Sequence, residues 1–121
     1  MPFRKEQVMA LQYIRILIAA ATIITGAISL FFPLKVLGFT GLAVEGGRGI
    51  TEIRTILGAL FVGLGAAALY FNKPETYQML GITYLVMAIV RAISIFVDDS
   101  RVSSNVISAI TELAFGILLM L

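Results

Sequence analysis

The chain has 121 residues, 60 % hydrophobic and 13 % charged, with a net charge of +2 and a mean hydropathy of +1.01. That is one domain's length, and it is far more apolar than the roughly 45–50 % typical of soluble domains, so the bilayer is the expected solvent. It contains no cysteine and no histidine, which excludes thiol redox chemistry, disulfides, imidazole bases and the usual zinc, copper and haem ligands.

No metal or other cofactor is expected, and the acidic residues show no ligand-loop spacing. The nine basic residues are scattered rather than striped, so no nucleic-acid partner is expected.

In chain order, a basic start (Arg4, Lys5, then Arg15) precedes the uncharged run Ile16–Phe32. A helix over about 8–32 reaches the roughly 20 residues needed to span hydrocarbon. A signal peptide fits a basic start too, but Pro33 ends the run and no small-x-small cleavage site follows. Arg15 is expected to snorkel to the headgroups.

Pro33–Ile50 is rich in glycine and reads as a connector, with an interfacial turn at Leu34–Phe39 and a tight turn at Glu45–Gly49. A second span follows at about 51–71, TEIRTILGALFVGLGAAALYF, and stops at Asn72-Lys73-Pro74-Glu75. That short link returns the third span, about 76–97, antiparallel beside it. After Asp98, Asp99, Ser100 and Arg101 the fourth span covers about 102–121. The expected fold is therefore all-α: a single-domain integral membrane four-helix bundle, running up-down-up-down.

Four spans put both termini on one side, with Arg4, Lys5, Arg15 and Lys73; Lys35, Arg48 and Arg101 fall on the other. Because cytoplasmic loops favour Lys and Arg, both termini are expected in the cytoplasm.

Small residues recur every four positions: Thr55, Ala59, Gly63 and Ala67 in the second span, Ala21, Thr25 and Ser29 in the first (Thr22 and Gly26 alongside), and Ser104, Ser108, Glu112 and Gly116 in the fourth. Helices in lipid associate through close backbone approach, so Gly26, Gly58, Ala59, Gly63, Ser108 and Gly116 are expected at packing seams.

The ionisable residues carry the sharper signal. At 1.5 Å per residue, Arg91 lies roughly 9 Å and Glu112 roughly 15 Å below the same membrane face, a difference that an arginine side chain bridges. An Arg91–Glu112 ion pair is expected. Glu52 and Arg54 enter from that face on the second span, so the four charges sum to zero, the cheapest way to keep them in hydrocarbon. Tyr84, Ser94, Asp98 and Arg48 are secondary candidates for extending this polar cluster. Such a cluster serves either as a ligand pocket or as a purely structural register device.

Over Glu52–Gly65, EIRTILGALFVGLG, the chain resembles a family of small bacterial four-helix membrane proteins classed as a domain of unknown function, distantly similar to the DoxX-like proteins. The pattern is an acidic-apolar-Arg triplet, a glycine-rich run, an arginine late in the third helix and a glutamate in the fourth. Glu52, Arg54, Gly58, Gly63, Gly65, Arg91 and Glu112 match it. Leu57, Gly58 and Ala59 stand where a tyrosine and two glycines are expected, and Phe61 stands where a polar residue is. The resemblance implies the fold and a bacterial inner-membrane location, and no activity.

Three functions compete. The first is a non-enzymatic accessory subunit or binder of a lipid-like or quinone-like amphiphile. The second is a small dimeric transporter or channel using Glu112 or Glu52 as its coupling acid. An enzyme ranks last, because no nucleophile–base constellation is visible and no residue reads as catalytic. Expected partners are the bilayer, that amphiphile, and a homodimer mate or a second membrane protein.

Overall fold

The computed structural model describes residues 4–121, and the described residues form helices joined by short links, without strands. The elements are α1 (Lys5–Phe31), a 3-10 turn (Pro33–Val36), α2 (Leu37–Thr40), α3 (Gly46–Phe71), α4 (Pro74–Val97) and α5 (Ser103–Met120). Four of them, α1, α3, α4 and α5, are long and apolar enough to cross a membrane, with 27, 26, 24 and 18 residues.

The helix ends follow local chemistry. Pro33, with no N–H to donate, opens the 3-10 turn after α1. Gly41 closes α2 in the left-handed region (φ 76°), and its N–H returns to the Leu37 carbonyl at 2.9 Å. Asn72 (φ 49°) sits just past α3, and Asp99 (φ 48°) lies in the turn after α4. Pro74 starts α4 two residues earlier than the apolar run suggests, because proline suits the first helical position.

The Glu45–Gly49 segment is not a turn. Helix α3 already begins at Gly46, and Arg48 pairs with Glu52 one turn on. Gly46 alone takes a positive φ (65°); the next glycines continue the helix, since glycine weakens a helix without forbidding it.

The chain divides into two compact units, one comprising the chain up to Ile18 with Phe71–Leu121, the other Ala19–Tyr70. In the Ala19–Tyr70 unit the later part of α1 crosses α3 antiparallel at van der Waals range. A Cβ on Gly65 would stand 2.7 Å from the Ala19 carbonyl oxygen, one on Gly26 2.6 Å from the Gly58 carbonyl oxygen, and one on Gly58 2.8 Å from the Leu30 nitrogen. Only glycine permits that approach.

The seam on α3 differs from the four-residue stripe. Thr55, Ala59, Gly63 and Ala67 are all exposed, and Gly63 faces open space; the buried positions are Ile53, Gly58, Gly65 and Ala68. A π-helical stretch spans Ile53–Ala59, where the Leu60 N–H reaches back to the Thr55 carbonyl. The five-residue step from Ile53 to Gly58 is the π repeat; Gly58, Gly65 and Ala68 then follow at seven and three residues on one helical face, and Ala59, Gly63 and Ala67 lie on the other. On α1 the buried line is Thr22, Gly26 and Ser29, while Thr25 is exposed.

In the other unit α4 and α5 form an antiparallel hairpin. A Cβ on Gly81 would stand 2.8 Å from the Leu119 Cβ and one on Gly116 2.6 Å from the Leu85 Cγ, and Tyr84 meets Phe115 edge to face at 5.5 Å. The buried face of α4 runs through Tyr77, Leu80, Gly81, Tyr84, Ala88 and Ile95, and that of α5 through Glu112, Gly116 and Leu119, which is the three-and-four spacing of an ordinary amphipathic helix. Ser108 bonds back to the Ser104 carbonyl within its own helix (2.9 Å).

Candidate functional site in the α4–α5 hairpin

Arg91 lies on the α4 face that turns toward α5, and Glu112 faces it. The guanidinium holds the carboxylate with two parallel bonds, Nε to Oε1 at 2.8 Å and Nη2 to Oε2 at 2.8 Å. This fork geometry is the strongest form of a carboxylate–arginine contact. Glu112 is the buried partner, its side chain 8 % exposed against 33 % for Arg91, so the carboxylate fixes the guanidinium and the guanidinium forms the outer edge.

A second acceptor completes the hold. Arg91 Nη1 donates to Asn105 Oδ1 at 3.0 Å, and the Asn105 amide in turn donates to the Ser100 carbonyl and to the Ser100 hydroxyl, each at 3.0 Å. Ser100 reaches the Ser94 carbonyl at 3.3 Å, and the Ser94 hydroxyl bonds Asp98. Polar groups therefore run continuously from Glu112 to the α4–α5 turn. Three of the guanidinium's N–H groups are engaged, and with five available on any arginine the remainder stay open to a further acceptor.

Beside Arg91 lies an open groove of about 380 Å³, lined by Val86, Met87, Val90, Arg91, Ser94 and Asn105. Apolar walls with a few convergent polar groups, in the range of roughly 300–1,000 Å³, are what small-molecule sites have in common. Its position on the edge of α4 gives it a lipid-like wall and a polar head end.

The other residues singled out from the sequence have their own partners. Arg48 pairs with Glu52 on the outer face of α3. Arg54 Nη1 donates to the Leu30 carbonyl at 2.6 Å, so it caps the last turn of α1 where Pro33 takes the chain out of the helix. Tyr84 is buried against Phe115.

Asn105 is the residue that sequence reasoning missed. It sits seven residues before Glu112, two helical turns away and so on the same face, and that spacing was the available signal.

These features define an all-helical integral membrane protein with a buried, neutralised ion pair beside an apolar groove. The chain belongs to the family described as Domain of unknown function (DUF4345), whose sequence profile matches residues 10–121. No curated protein and no solved structure matches it.

Proposed function

We propose that the protein is a non-enzymatic binder of a lipid-like or quinone-like amphiphile, held with its polar head against Arg91 and its apolar body along Val86, Met87 and Val90. The observation that carries this reading is that Arg91, with N–H groups beyond those its partners take, lines that groove. Because Glu112 already neutralises the guanidinium, the head that fits is a neutral acceptor such as a quinone or ester carbonyl. A full anion would leave the pocket with net negative charge in a low-dielectric setting, which is costly.

The alternative is a small transporter or channel with Glu112 or Glu52 as its coupling acid. Both Glu112 oxygens are bonded to Arg91, and Glu52 is exposed and paired to Arg48. Glu112 therefore has no oxygen open to a passing proton, and Glu52 belongs to an exposed surface pair, so binding is the better-supported reading.

The same proposal takes the spans as an antiparallel, distantly DoxX-like bundle in the bacterial inner membrane with both termini cytoplasmic, on the strength of the Lys and Arg distribution. It leaves room for an accessory role beside a homodimer mate or another membrane protein.

Mass spectrometry of the purified protein tests the reading. A quinone or neutral lipid should co-purify with the wild type and be lost from the double variant Arg91→Met/Glu112→Met, which removes both charges and so keeps the hairpin packed. Equal retention by the two proteins would overturn it, and proton flux in proteoliposomes abolished by Glu112→Gln would favour transport instead.

A further inference from the structure

A second polar corner, distant in sequence from Arg91, is built from the start of α1 and the link between α3 and α4. Tyr77 is fully buried, and its hydroxyl donates to Asn72 Oδ1 at 2.6 Å. The Gln12 amide donates to the same oxygen at 2.8 Å. Asn72 can offer that oxygen because its left-handed backbone (φ 49°) ends α3. These bonds tie α1 to the α3–α4 link.

Arg15 stands one turn after Gln12, so both lie on one side of α1, and its charge reaches the Tyr77 phenol. Its Nε is buried with no hydrogen-bond partner. The ion pairs among the described residues are Arg48–Glu52 and Arg91–Glu112, so none of the carboxylates there neutralises Arg15. The Asn72 Oδ1 acceptor already takes two donors. The corner thus has donors and positive charge in excess of acceptors. A guanidinium at the edge of a span in that condition is costly unless something outside the chain supplies both a negative charge and an acceptor. The buried Nε lies out of a headgroup's reach, so an outside acceptor meets the guanidinium at its outer nitrogens.

We propose that Arg15, at the corner formed with Gln12, Asn72 and Tyr77, seats the phosphate of an anionic phospholipid. A phosphate offers several acceptor oxygens to a planar guanidinium fork, and an arginine at this level meets the headgroups of an anionic leaflet. This site is independent of the Arg91 groove: one takes a negative head, the other a neutral one.

The test uses the full chain purified in detergent. Native mass spectrometry and thermal unfolding compare added phosphatidylglycerol with phosphatidylcholine of the same acyl chains. Wild type should bind phosphatidylglycerol roughly fivefold more tightly, the scale of one basic residue at an anionic surface, and should unfold at a higher temperature with it. Arg15→Gln should lose that preference, and Arg15→Lys, which keeps the charge but not the planar fork, should lose at least half of it. Lys73→Gln should leave it intact, as should the Arg91→Met/Glu112→Met variant. Inorganic phosphate alone producing the same shift would assign the site to a free anion and overturn the lipid. An absent preference in the wild type, or a full preference in Arg15→Lys, would overturn the site.

Discussion

Asn105 and Glu112, seven residues apart on α5, divide one guanidinium between them: Glu112 takes Nε and Nη2 of Arg91 at 2.8 Å each, and Asn105 takes Nη1 at 3.0 Å. The two contacts differ in weight. Removing the arginine strands a carboxylate whose side chain is 8 % exposed, so Arg91→Met should destabilise the protein by about 3–5 kcal/mol. Adding Glu112→Met should restore most of that loss, since an apolar pair of similar volume replaces both charges. Denaturant unfolding in detergent measures both, and a double variant no more stable than the single one would refute the pairing as the cause.

Asn105→Ala removes a neutral amide rather than a charge. It should cost about 1–3 kcal/mol, because Nη1 loses its acceptor and the Ser100 link to the turn goes with it. It also frees a donor at the groove, so co-purification of a carbonyl-headed ligand should persist. Loss of ligand in Asn105→Ala without loss of stability would place Asn105 in direct contact with the ligand, contrary to the bonding seen here.

The spans and the Arg91–Glu112 pair were legible because each depends on a count along the chain: apolar run length in one case, depth from a shared turn in the other. Asn105 was hidden among a Ser104–Ser108–Glu112 stripe that drew attention to four-residue spacing at the expense of seven. The α3 seam was illegible for a different reason. Small residues line two faces of α3, and Gly58, Gly65 and Ala68, spaced by seven and three, form the buried one, while the more regular Thr55, Ala59, Gly63 and Ala67 face outward. Arg54 donates to the end of α1, a contact that its charge pattern did not announce. Its contact with Leu30 lies 24 residues away, and local pattern does not carry that.

The position of the seam has a direct consequence. Gly26→Ala and Gly58→Ala each place a methyl less than 3.0 Å from backbone atoms and should each destabilise by about 1–3 kcal/mol. Gly63→Ala meets nothing within 4 Å and should be neutral or stabilise by up to about 1 kcal/mol through helix propensity. Thermal unfolding of the three variants decides between the two faces: a damaging Gly63→Ala beside a harmless Gly58→Ala would restore the four-residue stripe as the seam.

Arg54 is the remaining charged position with a structural assignment of its own. The last turn of α1 ends with the Phe32 N–H bonded to the Ile28 carbonyl at 2.8 Å, and Pro33 then turns the chain away, leaving the Leu30 carbonyl to Arg54. A carbonyl without a donor at a helix end facing lipid is costly. Arg54→Met should therefore lower stability by about 1–3 kcal/mol, and Arg54→Lys, whose ammonium still donates, should recover more than half. The damage should be local as well as global: hydrogen exchange at the Phe32 amide should quicken in Arg54→Met while amides around Glu112 keep their protection. Uniform quickening across both regions would show that Arg54 supports more than the end of α1, and an unchanged Phe32 amide would remove the cap as its role.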